Sequence, residues 1–380
     1  MKDCFEKFFN QKPEKLITAS GRINLIGEHV DYCGGKVLPA SISLACKVYG
    51  RKNDSGFIRI ALKGFDNVFT LDIGALDSYK KLKYANYQAG VAYFLQESGV
   101  CLCGCDLYYD CLVPFGSGLS SSAAIEVATA VSLCEFAGVK YNLIDLALIG
   151  QKAENQYAGM NCGIMDQFAS AMGKSGQAIL LDCNTLEYQY VPLELGDYTL
   201  VISNCNKPHN LVESKYNERR EQAESALEKI KTVKDIKALA ELTVEQFDEV
   251  KHLLDGKIKD RAEHIVNECA RVQKAVDALK VGDIKTFGEI LNQGHYSLRD
   301  LYEVTGIELD TLTEVSRMQQ GCVGSRMMGG GFGGCTVSIV KKDMVQKFIE
   351  NVDHAYYERI GYKADFYDVK ITDGVTVTKI

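Results

Sequence analysis

The chain has 380 residues, 46% hydrophobic and 24% charged, enough for two ordinary domains; a disordered chain or a single small module is excluded. The formal net charge of −7, with no Lys/Arg stripe interleaved with aromatics, argues against a nucleic-acid or anionic-membrane surface. The N-terminal residues alternate charged and apolar side chains without a leader core, and no run of about 18 apolar residues occurs, so the expected location is cytoplasmic with no membrane partner.

In chain order, residues 16–42 mix β-branched side chains with turn glycines, and 57–62 and 68–71 read as strands. Segments 87–96, 120–136 and 143–156 carry helical spacing, which gives the first half a mixed α and β character. After Gly173 and Gly176 the run 177–181 reads as a buried strand, and a boundary near Ser175 predicts an N-terminal domain 1–175 and a C-terminal domain 176–380. From Ser214 to Leu279 apolar residues recur at helical intervals, the intervening charges reading as solvated faces. Residues 335–340 and 366–377 read as strands with a helix over 344–360 between them, so the expected fold class is α+β. The fourteen cysteines scatter without a zinc-ribbon pair and are expected as reduced thiols. Cys101, Cys103 and Cys105 have the period of one strand face and are read as core packing beside Leu107.

Three segments carry chemistry. The run Gly116, Ser117, Gly118, Leu119, Ser120, Ser121 and Ser122 leads directly into the apolar helical segment. Glycines let a backbone approach an anion, the helix start favours negative charge, and the serines can cap the helix, bond phosphate or hold Mg²⁺. An ordinary Ser-capped helix is the plain alternative. The segment 21–32 packs Arg22, Glu28, His29 and Asp31 between glycines. Ionised carboxylates beside an imidazole suit the hydroxyls of a polyol; a surface loop with an Arg–Glu pair would use the same residues. In 324–335, Gly329, Gly331 and Gly334 match the spacing of a dinucleotide fingerprint, but the run leads into a strand instead of opening a helix. It reads as a loop kept bare so that it can lie against a ligand or another loop.

These motifs, in this order, resemble those of the galactokinase family, within the superfamily that also holds homoserine, mevalonate and phosphomevalonate kinases. Residues 21–32 are similar to the family signature Gly-Arg-Val-Asn-Leu-Ile-Gly-Glu-His-Thr-Asp-Tyr, and 162–168, Cys-Gly-Ile-Met-Asp-Gln-Phe, look like galactokinases more than N-acetylgalactosamine kinases. The resemblance implies a two-domain fold with the active site between the domains, and ATP-dependent phosphorylation of the galactose C1 hydroxyl. It implies Asp166 and Arg22 as catalytic residues, and Glu28, His29, Asp31, Gly163 and Tyr216 at the sugar. It implies Gly116 to Ser122 at the ATP phosphates, Ser121 and Glu154 as Mg²⁺ ligands, and Tyr84 and Tyr87 near adenine, where the family has a Trp-Ala-x-Tyr element. Ser20, Val30, Cys33 and Asn161 depart from the family's usual Pro, Thr, Asn and Pro without removing an ionisable group. Met328 replaces the usual Thr before the glycines. Two alternatives share these motifs: a kinase for a uronic acid or arabinose, and a non-catalytic galactose sensor. Such sensors lack a Ser-Ala pair in the serine loop, which is complete here.

Overall fold

The β-branched and small residues of 16–42 form two long antiparallel strands, Lys15–Asn24 and Pro39–Lys52, with Ile17 opposite Val48 and Ile23 opposite Ala40. The computed structural model describes residues 2–82, 84–207 and 212–380. These two strands sit in a six-stranded sheet of order Thr376–Lys379, Lys15–Asn24, Pro39–Lys52, Cys105–Cys111, Phe57–Leu62, Val68–Asp72. The register shifts between Ser20 and Arg22, a bulge of the kind that re-aims a side chain beside a site.

Helix Ser121–Ala137 packs on this sheet and is buried on nearly all sides, as its apolar composition requires. Helix Leu143–Lys152 runs on into a π-helical turn, Ala153–Ala158, and helix Met165–Met172 packs against it. A four-stranded antiparallel sheet of order Cys322–Met328, Cys335–Lys341, Tyr198–Asn204, Asp365–Asp368 organises the second half. Helices Ile284–Ser297 and Gly306–Arg317 pack on it, and the 214–279 region supplies Val212–Ile230, Val244–Val250 and Gly256–Lys280. The whole is α+β.

Three expectations differ from the structure. Segment 366–377 is two strands in two sheets, because its middle crosses between them: Thr372 N–H donates to the Ser41 carbonyl, Ser20 Oγ to the Asp373 carbonyl and Gly374 N–H to the Gly173 carbonyl. The last strand therefore pairs with residues 15–18, Gln177–Asp182 pairs with Lys36–Val37, and isolated bridges join Ile42 to Ile371 and Lys174 to Gln177, so backbone pairing crosses the expected 175/176 boundary repeatedly. Cys101 and Cys103 do not share a strand face with Cys105. The strand begins only at Cys105, because the chain before it lies against the 53–55 turn, where Asn53 N–H donates to the Gly104 carbonyl. Cys101 is exposed, and all fourteen cysteines are free thiols.

Candidate active site

A cavity of about 860 Å³ opens between the two halves. The sequence motifs meet there: Arg22, Glu28, His29 and Asp31 from the first, Gly116, Gly118 and Ser120 to Ser122 from the second, Gly329 to Gly331 from the third. Glu154, Gly163, Asp166, Tyr87 and Tyr216 line it as well.

Two glycine loops form one wall. Gly118 (φ 76°) and Gly329 (φ 82°) both sit in the left-handed region, and a Cβ on Gly329 would lie 3.2 Å from the Gly118 carbonyl oxygen. Side chains are absent here because two backbones touch, which is why the third motif has no use for a Rossmann helix. Ser120, also left-handed at φ 63°, starts helix Ser121–Ala137 in a conformation that costs a residue with a Cβ about 1–3 kcal/mol. Its hydroxyl turns toward Asp166.

Asp166, in the first turn of Met165–Met172, is held by both the first and the second motif. Arg22 donates to it through Nε (2.8 Å to Oδ1) and Nη2 (3.0 Å to Oδ2), and Ser120 Oγ donates at 2.5 Å. Arg22 also donates through Nη1 to the Gly118 carbonyl at 2.5 Å, tying the first motif to the second. Burial opposes the charge on Arg22, but Asp166, Glu28 and Asp31 more than offset it and hold the guanidinium above its usual range.

Asp31, His29 and Tyr216 also line the cavity, beside the glycine loop at Gly330. Burial, then the charge of Asp166, pushes Asp31 up to about 7. His29 is driven down to about 3 by burial and is neutral. Its Nε2 faces the Gly330 carbonyl at 3.2 Å, and because a carbonyl only accepts, Nε2 carries the proton. Nδ1 then accepts from Tyr32 Oη at 2.9 Å, which in turn accepts from Tyr302 Oη at 2.9 Å. Both nitrogens of His29 are thus used within the protein. Glu28 is similarly engaged: its Oε1 accepts from Gly329 N–H at 2.9 Å and pairs with Arg326 at 3.2 Å.

Glu154 lies in the π-helical turn, a distortion that recurs at functional sites. It is 5% exposed, accepts from Gln167 Nε2 at 2.6 Å, and is raised by burial and by the charge of Asp166. No cation pairs with it among the described residues.

Three expected ATP residues do not face the cavity. Ser117 is buried with its hydroxyl on the Pro114 carbonyl, Leu119 is buried in the core, and Tyr84 stands against Phe65 with ring centroids 4.7 Å apart. Conversely, Arg326, Gln167 and Glu126 have roles at the cavity that no motif announces. Gln167 Nε2 bridges Glu154 and the buried Glu126, at 2.6 and 2.9 Å. An acid inside the apolar 121–137 run was the available signal for Glu126.

The GHMP kinases N terminal domain family matches residues 86–174, and the GHMP kinases C terminal family matches 275–358. The fold is similar to that of a Methanococcus jannaschii mevalonate kinase, with a TM-score of 0.69 at 15% identity, covering 95% of this chain and 99% of that one. Fold and motifs together define a GHMP-type kinase. Residues 3–52 match the galactokinase galactose-binding signature. The chain is 46% identical to a galactokinase of Clostridium acetobutylicum (97% of this chain and 96% of the relative) and 46% to one of Lactiplantibacillus plantarum (98% and 98%). A Lactococcus lactis galactokinase solved with galactose is 41% identical, with a TM-score of 0.95 over 99% of this chain and 98% of that one. The chain belongs to the galactokinase family.

Proposed function

We propose that this protein transfers the γ-phosphoryl group of ATP to the C1 hydroxyl of D-galactose, giving galactose 1-phosphate and ADP. The observation that carries the reading is Asp166, fixed by Arg22 and Ser120 where the first motif meets the glycine loops in one cavity.

Phosphoryl transfer through a loose transition state needs alignment and charge neutralisation more than early proton removal. Asp166 orients the C1 hydroxyl and takes its proton as the O–P bond forms, while Arg22 fixes the carboxylate and adds positive charge. Asp31 and Tyr216 face the sugar, with Gly163 leaving room for Asp31. Glu28 and His29 shape the same wall, since Glu28 Oε1 and both ring nitrogens of His29 are already bonded within the protein. The N–H groups of 116–122 cradle the phosphates at the start of helix Ser121–Ala137, with adenine toward Tyr87 and the aromatic group of Tyr84 beyond it.

Ser121 and Glu154 would hold Mg²⁺. The fit rests on Glu154: a buried carboxylate, raised by burial, that lines the cavity and has no cationic partner among the described residues suits a hard cation. Bound there, Mg²⁺ supplies neutralisation of phosphate charge.

Residues 1–175 and 176–380 serve as the two lobes, except that strands Gln177–Asp182 and Thr376–Lys379 pair back onto the first. The fourteen free thiols suit a reducing compartment, in keeping with the cytoplasm. No helix among the described residues is long and apolar enough to cross a membrane.

An ADP-release assay over galactose, glucose, arabinose and galacturonate tests the assignment. A site of charged acceptors placed for particular hydroxyls should prefer galactose strongly. Equal kcat/KM for galactose and glucose, or a preference for one of the other sugars, would sink it.

A further inference from the structure

Helix Gly256–Lys280 contributes nothing to the cavity lining, yet two of its polar side chains, Glu268 and His264, are completely buried against the backbone of the first motif. Glu268 Oε1 accepts from the N–H groups of Gly27 at 3.0 Å and Glu28 at 3.3 Å. His264 Nε2 donates to the Glu28 carbonyl at 3.1 Å, and its Nδ1 accepts from Ser297 Oγ at 2.8 Å. Arg271 closes the clasp on the other Glu268 oxygen at 2.6 Å.

The clasp grips a bend that local sequence does not favour. Gly27 has φ 96° and His29 φ 60°, the latter unusual for a side chain of that size. Three hydrogen bonds from the other half of the molecule converge on the two residues just before His29. The His264 ring also lies against Tyr302, with centroids 4.5 Å apart, and Tyr302 begins the hydroxyl chain that ends on His29 Nδ1. Backbone and imidazole of the sugar wall are therefore held from the same helix.

We infer that Glu268, supported by His264 and Arg271, is a positioning residue for the sugar side of the cavity: it touches no substrate and acts by fixing the backbone from which Glu28 and His29 project. This rests on the galactose reading of that side. The glycine loops on the nucleotide side are linked to this segment through Glu28 and His29, but they have further bonds of their own, Arg22 to Gly118 and the contact of the two loops, so losing the clasp should affect galactose more than nucleotide.

Calorimetric titration of the full-length wild type, Glu268→Ala, Glu268→Gln and His264→Ala, with galactose and separately with Mg²⁺ and a non-hydrolysable ATP analogue, tests this. Thermal melting confirms that each variant is folded. The expected result is a galactose Kd raised about tenfold or more in Glu268→Ala, from the loss of bonds to a charged acceptor, with nucleotide Kd within about threefold of wild type. Glu268→Gln keeps an acceptor oxygen and should fall between. If Glu268→Ala does not fold, the other two variants carry the same split. A lower melting temperature with both Kd values unchanged, or both weakened equally, would make the clasp merely structural and overturn the inference. A wild type that does not bind galactose would instead remove the sugar reading, and this inference with it.

Discussion

The carboxylate of Asp31 occupies the space that a side chain on Gly163 would need: a Cβ built at 163 would lie 2.0 Å from Asp31 Oδ2. The first motif and the segment before Asp166 thus fit together only because one of them has no side chain there. Gly163→Ala must displace Asp31, and galactose KM is expected to rise about tenfold or more, while ATP KM moves much less. Steady-state kinetics with each substrate varied checks this; an unchanged galactose KM would take Asp31 out of the sugar site.

Asp166→Asn keeps the shape but cannot take a proton and turns one charge-assisted acceptor of Arg22 into a neutral group. Turnover should fall on the order of a hundredfold or more, with galactose still bound by calorimetry. Turnover within about threefold of wild type would remove Asp166 from the chemistry.

The raised Asp31 gives a signed pH dependence. Its carboxyl titrates near 7 in the folded protein, against a usual value of 3.8, because of burial and the neighbouring Asp166. Between those values the folded state holds a proton that the unfolded state has lost. The stability this group contributes is therefore complete below about pH 4 and is lost as pH rises through 7. Without ligand, Asp31→Asn should gain in melting temperature relative to wild type as pH goes from 4 to 8. A constant difference across that range would contradict the assignment.

Glu154→Gln removes a buried charge from the Mg²⁺ position. The half-saturating Mg²⁺ concentration should rise about tenfold or more, while the ligand-free protein melts no lower than wild type, since the amide is cheaper to bury than an unpaired carboxylate. A Mg²⁺ titration that superposes on wild type would assign Glu154 a structural role.

Met328 is completely buried at the end of strand Cys322–Met328, its backbone opposite Cys335. Met328→Thr, which restores the family's usual residue, should cost on the order of a few kcal/mol as a large-to-small change in the core. A single neutral hydrogen bond contributes about 0.5–1.5 kcal/mol, so ATP KM should move less than roughly tenfold, leaving the choice of sugar alone. If instead the wild type binds galactose without turnover and Met328→Thr switches turnover on, the natural chain is a sensor and its catalytic assignment falls.

Which groups are available, and what most segments become, is legible along the chain. A long apolar run rich in helix-forming residues marks helix Ser121–Ala137 within a residue, and charge, imidazole and glycine density marks the first motif, because both signals are local. How those groups are used follows from their partners in space. Glu28 and His29 read as free polar ligands, yet their bonds go to Gly329, Arg326, Gly330 and Tyr32, partners that, apart from Tyr32, are about 300 residues away and have no local signature. The single apparent strand over 366–377 divides because Asp373 and Gly374 are held by Ser20 and Gly173, a demand of two sheets that no window of sequence contains. Gly163 is a space for Asp31, and Glu268 a clasp on Gly27, for the same reason: burial and hydrogen-bond satisfaction are properties of neighbours in space, and composition and period describe only neighbours in the chain.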